Sequence, residues 1–139
     1  MNSVMRLKIK HIALADDDHE DMEMLQEAIS KNCPDIFFTL ATNGAILLDK
    51  LRAAPAPDFI ILDINMPVLD GKECLKAIRR KPLMNAIPVL MYSTSSNSTD
   101  IKEAFNNGAD YYVIKPDTIT AIDQIAKEIC NGTIKSSFY

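Results

Sequence analysis

Four short polar motifs stand out for the chemistry they could share: Asp16-Asp17-Asp18, Asp63-Ile64-Asn65, Ser93-Thr94 and Lys115-Pro116. Two or three carboxylates brought together repel one another unless a cation joins them. An oxygen-only ligand set favours a hard ion, and Mg²⁺ held by a few carboxylates, water and a phosphoryl group is the natural choice. A lysine beside that ion suits a transferred phosphoryl group as a point charge. A neighbouring hydroxyl adds one hydrogen bond, and a carboxylate left to attack phosphorus is a nucleophile. Each motif taken singly has a plainer reading. Acids at 16–23 suit a helix N-terminus, with Asp18 and Asp21 as a capping arrangement. Asp63 and the Asp70-Gly71 pair suit turns, and Lys115-Pro116 suits a surface loop. The joint placement of the four motifs decides between the readings.

That placement depends on five apolar stretches: His11 to Ala15, Phe37 to Ala41, Phe59 to Ile64, Pro88 to Ser93 and Tyr111 to Lys115. They are rich in Ile, Val, Phe and Tyr and nearly continuous, which predicts strands buried on both faces. Amphipathic segments lie between them. Met22, Leu25 and Ile29 line one helical face, and Leu47, Leu48 and Leu51 line a second. Leu75 with Ile78 marks a third, Ile101, Ala104 and Phe105 a fourth, and Ile119, Ile122, Ala126 and Ile129 a fifth. A strand-helix unit repeated five times predicts an α/β fold: a five-stranded parallel sheet with helices on both faces, joined by right-handed crossovers. Ligands of such open sheets bind beyond the carboxyl ends of the strands, where all four motifs fall.

The chain of 139 residues, 47% hydrophobic and 24% charged, reads as one domain over 1–139, with a core of about 8–131 and a short tail at 133–139. Ala54-Pro55-Ala56-Pro57, Arg80-Lys81-Pro82 and the polar run Ser95 to Thr99 are breaks of loop size, and the tail has no room for an output domain. The net charge of -4 is unevenly spread: six of the 19 acids lie in the eight residues Asp16 to Glu23, leaving 13 acids against 15 Lys and Arg elsewhere. No apolar run approaches the roughly 18 residues of a membrane span. Arg79-Arg80-Lys81, the one basic cluster, suits a helix C-terminus and argues against nucleic-acid binding. Three cysteines, Cys33, Cys74 and Cys130, lack metal-ligand spacing, and no secretory signal precedes them. Free thiols and a cytoplasmic location are expected. Asn131-Gly132 reads as a helix end.

Together these motifs resemble the receiver domains of two-component response regulators, over roughly residues 8 to 131. The resemblance rests on Asp16-Asp17, on the segment Asp63-Ile64-Asn65-Met66-Pro67-Val68-Leu69-Asp70-Gly71, on Ser93-Thr94 and on Lys115-Pro116. The motifs stand in order, with 30 residues from Asp63 to Ser93 and 22 from Ser93 to Lys115. The resemblance implies a flavodoxin-like sheet of order 2-1-3-4-5, as in the chemotaxis response regulator. It implies that Asp63 accepts a phosphoryl group from a sensor histidine kinase, a histidine phosphotransfer protein or a small phosphodonor. Mg²⁺ would be bound by Asp16, Asp17, Asp63 and the backbone carbonyl of Asn65. Ser93 and Lys115 would contact the phosphoryl oxygens, and Tyr112 matches the family's aromatic switch position. The expected product is a stand-alone phosphorelay signalling module rather than a multiple-turnover enzyme, read by a downstream protein target or by a phosphorylation-dependent homodimer. A phosphatase of similar fold would place a second Asp two residues after the nucleophile, where this sequence has Asn65, and an amide supplies no titratable proton. Asp117 departs from the Phe that often follows Lys-Pro in the family.

Overall fold

The computed structural model describes residues 9–53 and 55–136. Residue 8 of the expected core, Ala54 of the proline-rich loop and residues 137–139 of the expected tail lie outside the described residues. Strands β1 (His11–Ala15), β2 (Phe37–Ala41), β3 (Phe59–Leu62), β4 (Val89–Ser93) and β5 (Tyr111–Ile114) alternate with helices α1 (His19–Asn32), α2 (Gly44–Ala53), α3 (Gly71–Arg79), α4 (Ser98–Asn106) and α5 (Ile119–Asn131). The strands pair in parallel in the order β2-β1-β3-β4-β5, as expected.

Period-two geometry divides the core. Ala13, Ala15, Ile60, Leu62, Met91 and Tyr112 face one side with Leu47, Leu75, Ile78 and Ala104. Ile12, Leu14, Ile61, Leu90 and Val113 face the other with Leu25, Ile29, Ile122 and Ile129. Side-chain caps fix where four helices begin: Asp18, Asp70, Asn97 and Thr118 accept from the amides of Asp21, Glu73, Thr99 and Ala121. Gly132, at φ 71°, ends α5 in the left-handed conformation, so the Asn131-Gly132 reading holds.

The structure corrects several expectations. Strand β3 ends at Leu62 rather than Ile64, because the Asp63 amide still reaches Ala15 O (3.0 Å) while Ile64 O is taken by the Gly71 amide (2.8 Å). Strand β2 is an edge strand and is not buried on both faces; Phe37 is 55% exposed. Phe105 is partly exposed on α4. Ile119, in the first turn of α5, is 77% exposed and lines with Met24, Ala28 and Ile122 a groove of about 410 Å³ between α1 and α5. The expectation of three free thiols fails as well. Cys33, at the end of α1, and Cys130, near the end of α5, form a disulfide with Cα atoms 6.0 Å apart, and among the described residues only buried Cys74 is free. The two helices pack side by side on one face of the sheet, which places residues 97 apart in sequence within bonding reach. Among the described residues, no helix is long and apolar enough to cross a membrane.

Candidate functional site

The carboxyl ends of β1, β3, β4 and β5 deliver the predicted residues to one edge of the sheet. Asp16 follows β1, its amide bonded to Ala41 O (3.1 Å), and is 1% exposed. Its Oδ1 accepts from the Asp18 amide (2.9 Å) and its Oδ2 meets Lys115 Nζ (2.7 Å). Asp63 is buried at the end of β3, while Asp17 is exposed. One oxygen each from Asp16, Asp17 and Asp63 lie within 4.8 Å of one another. Three carboxylate oxygens at that spacing are a donor set suited to a hard divalent cation. Asn65 lies two residues beyond Asp63, exposed in the β3–α3 loop.

Lys115 is anchored just past β5 by its amide, which donates to Ser93 O (2.8 Å). Its ammonium group stands among three carboxylates, at 2.7 Å from Asp16, 2.9 Å from Asp21 and 3.5 Å from Asp63, and lies 5.8 Å from the centroid of the Tyr92 ring. Burial pushes the Asp16 carboxyl up to about 6 against the opposing pull of Lys115. Burial alone would lower Lys115, but its hydrogen bonds to Asp16 and Asp21 and the nearby Asp63 charge outweigh that and hold it above the ordinary lysine range. The edge thus sets one buried ammonium against three carboxylates, two of them buried, with the exposed Asp17 at its rim.

Asp21 is the site residue that sequence reasoning missed, since it was assigned with Glu20 and Glu23 to the support of a helix. Its amide does meet the Asp18 cap, yet its carboxylate turns to Lys115 instead of reaching back to Asp18. A signal existed: side chains in a first helical turn tilt toward the N-terminus, and this N-terminus abuts the strand ends. Asp117 stays exposed beside Thr118, which caps α5.

Ser93, wholly buried at the end of β4, accepts through Oγ from the Ser95 amide (3.2 Å). Tyr112 is also wholly buried, more deeply than a switch residue had to be, and its hydroxyl donates to Ser95 O (2.8 Å). In the β3–α3 loop, a Cβ on Gly71 would lie 2.0 Å from Asp63 O, so only glycine lets α3 begin this close to Asp63. Val68, in the same loop, holds a φ of 67°, a strained conformation for a β-branched residue.

A family model for the response regulator receiver domain matches residues 12–127. Among solved structures, the phosphorylated cyanobacterial phytochrome response regulator RcpA is 31% identical, with 87% of this chain and 91% of that chain covered and a TM-score of 0.82. The Mn²⁺-bound form of response regulator Rcp1 is 26% identical, with 86% and 91% covered and a TM-score of 0.79. The chemotaxis response regulator CheY4 of Vibrio cholerae is 25% identical, with 87% and 98% covered and a TM-score of 0.75. A curated relative, the probable methanogenesis regulatory protein FilR2 of Methanothrix harundinacea, is 33% identical over 92 residues. That match takes in 63% of this chain and spans only 59% of FilR2.

Proposed function

The chain belongs to the response regulator receiver domain family, whose members are phosphoryl-accepting signalling domains, and from that premise we propose that Asp63 is its phospho-acceptor. The observation that carries the reading is the convergence of Asp16, Asp17, Asp63 and Lys115 at one sheet edge. In the proposed transfer, an Asp63 Oδ attacks the phosphorus of a phosphohistidine on a sensor kinase or phosphotransfer protein. The P–O bond forms as the P–N bond breaks, and the imidazole leaves with the bonding pair. Lys115 Nζ, 3.5 Å from Asp63 Oδ2, needs a small shift to meet the incoming phosphoryl oxygens. Asp16 and Asp21 hold that ammonium in place before transfer.

The three carboxylates, with the Asn65 carbonyl, would hold Mg²⁺, which supplies positive charge against the phosphoryl oxygens. Ser93 donates its hydroxyl to one of those oxygens, and Tyr112 reports the change to the face built by α4, β5 and α5. A protein target reads that face, and membership of the receiver family, rather than the cysteines, supports a cytoplasmic location. Acetyl phosphate with Mg²⁺ should add one phosphoryl group, seen by intact mass, to the wild-type chain and none to Asp63→Asn. Equal labelling of both would remove Asp63 from the role of nucleophile.

A further inference from the structure

Ser95 is the junction of the β4–α4 loop. Its amide donates to Ser93 Oγ (3.2 Å), its carbonyl accepts from the Tyr112 hydroxyl (2.8 Å), and its Oγ accepts from the Asn97 amide (3.2 Å). The same Oγ donates to Asp100 Oδ2 at 2.6 Å. Asp100 Oδ1 in turn accepts from Lys72 Nζ at 2.6 Å, and Lys72 also reaches Glu103 Oε1 at 2.7 Å. Lys72 is the second residue of α3, next to the Gly71 whose Cα abuts the Asp63 backbone. A chain of side chains therefore runs from the start of α3, through the first turn of α4, to the loop that carries Ser93's partner.

The members of this chain are partly shielded, with the Lys72 and Asp100 side chains 21% and 25% exposed, and each link is charge-assisted. The Lys72 and Ser95 hydrogen bonds hold the Asp100 carboxyl below the usual carboxylate range. The loop they restrain, residues 94–97, is built of small polar residues that are mostly exposed. Ser93 Oγ accepts from the Ser95 amide, and as a hydroxyl it keeps one hydrogen to donate. Fixing Ser95 fixes both that donor and the acceptor of the Tyr112 hydroxyl.

We propose that Lys72 and Asp100 are positioning residues that hold the β4–α4 loop where Ser95 orients Ser93 and receives Tyr112, and so favour phosphoryl occupancy of Asp63. The inference rests on the assignment of Asp63 as phospho-acceptor. By linkage, a restraint that favours the Tyr112-buried arrangement must raise affinity for whatever favours the same arrangement at Asp63. Glu103 shares Lys72 but does not touch Ser95, so it separates this relay from a mere clasp between α3 and α4.

The test is titration of the Mg²⁺-loaded chain with beryllofluoride, a phosphoryl mimic, followed by NMR of the Tyr112 ring. Affinity should fall at least fivefold in Lys72→Met and in Asp100→Ala, with the Tyr112 ring signals shifted before any mimic is added. Lys72→Arg and Glu103→Gln should stay within twofold of wild type, and affinity for Mg²⁺ alone should hold in all four. A smaller loss or tighter binding in Lys72→Met or Asp100→Ala overturns the relay. So does a loss in Glu103→Gln equal to that in Lys72→Met. Failure of the wild-type chain to bind the mimic overturns the assignment of Asp63 itself, and the relay with it.

Discussion

If Asp16 holds Mg²⁺ as proposed, its position, buried against Lys115 and beside Asp63, should make that binding sensitive to pH in a range where ordinary carboxylates are silent. Its carboxyl is pushed up to about 6 from 3.8 because burial disfavours the charged form more than Lys115 favours it. A carboxyl at that value is about nine-tenths ionised at pH 7 and about one-tenth ionised at pH 5. Binding a cation through Asp16 requires the ionised form. Mg²⁺ affinity should therefore fall about tenfold between pH 7 and pH 5. A carboxyl left at 3.8 would stay mostly charged throughout and predict almost no change. The same shift has a definite sign for folding. Between pH 4 and 6 the folded state binds more protons than the unfolded chain, so this group's contribution becomes less favourable as pH rises and reaches a cost on the order of 3 kcal/mol above pH 6. Mg²⁺ offsets that cost, so its stabilising effect should be larger at pH 7 than at pH 5. Isothermal titration calorimetry at pH 5, 6 and 7 measures the affinity, and buffers of different ionisation enthalpy count the proton released. About half a proton should leave per ion at pH 6. Affinity that stays within twofold from pH 7 to pH 5, with no proton released, would refute the argument that burial governs Asp16.

Two further expectations concern the scaffold. The Cys33–Cys130 bridge joins residues 97 apart, for which loop-closure entropy in the unfolded chain sets a ceiling of about 4.7 kcal/mol. The Cys33→Ser/Cys130→Ser double variant should lose roughly 2–4 kcal/mol in urea unfolding, and a loss below about 1 kcal/mol would contradict that account. Gly71→Ala places a methyl 2.0 Å from the Asp63 carbonyl. The methyl is fixed directly to the Cα and the carbonyl is backbone, so neither can rotate away; stability should drop by about 2–3 kcal/mol, checked by the same unfolding measurement, and a neutral substitution would contradict the close approach.

What the sequence determined by itself was the order of the elements and most of their local boundaries. Apolar runs broken at helical and strand spacing dictated five strand-helix units, and Asp18 and Gly132 marked helix ends through chemistry that acts within one turn. Parallel connection then obliged Asp16, Asp63, Ser93 and Lys115 to emerge at the same edge of the sheet, so the candidate site was legible before any distance was known. Tertiary structure decided what depends on which elements become neighbours. Strand β2 became an edge, which leaves Phe37 exposed although its run of residues looks as buried as the others. Packing of α1 against α5 brought Cys33 to Cys130, and the α1 start beside the β5 end brought Asp21 to Lys115 across 94 residues. The Lys72–Asp100–Ser95 chain exists only because α3 and α4 lie side by side. Residue spacing sets the period of an element and its caps, whereas a contact between distant elements depends on crossover geometry and side-chain direction, which no local pattern encodes.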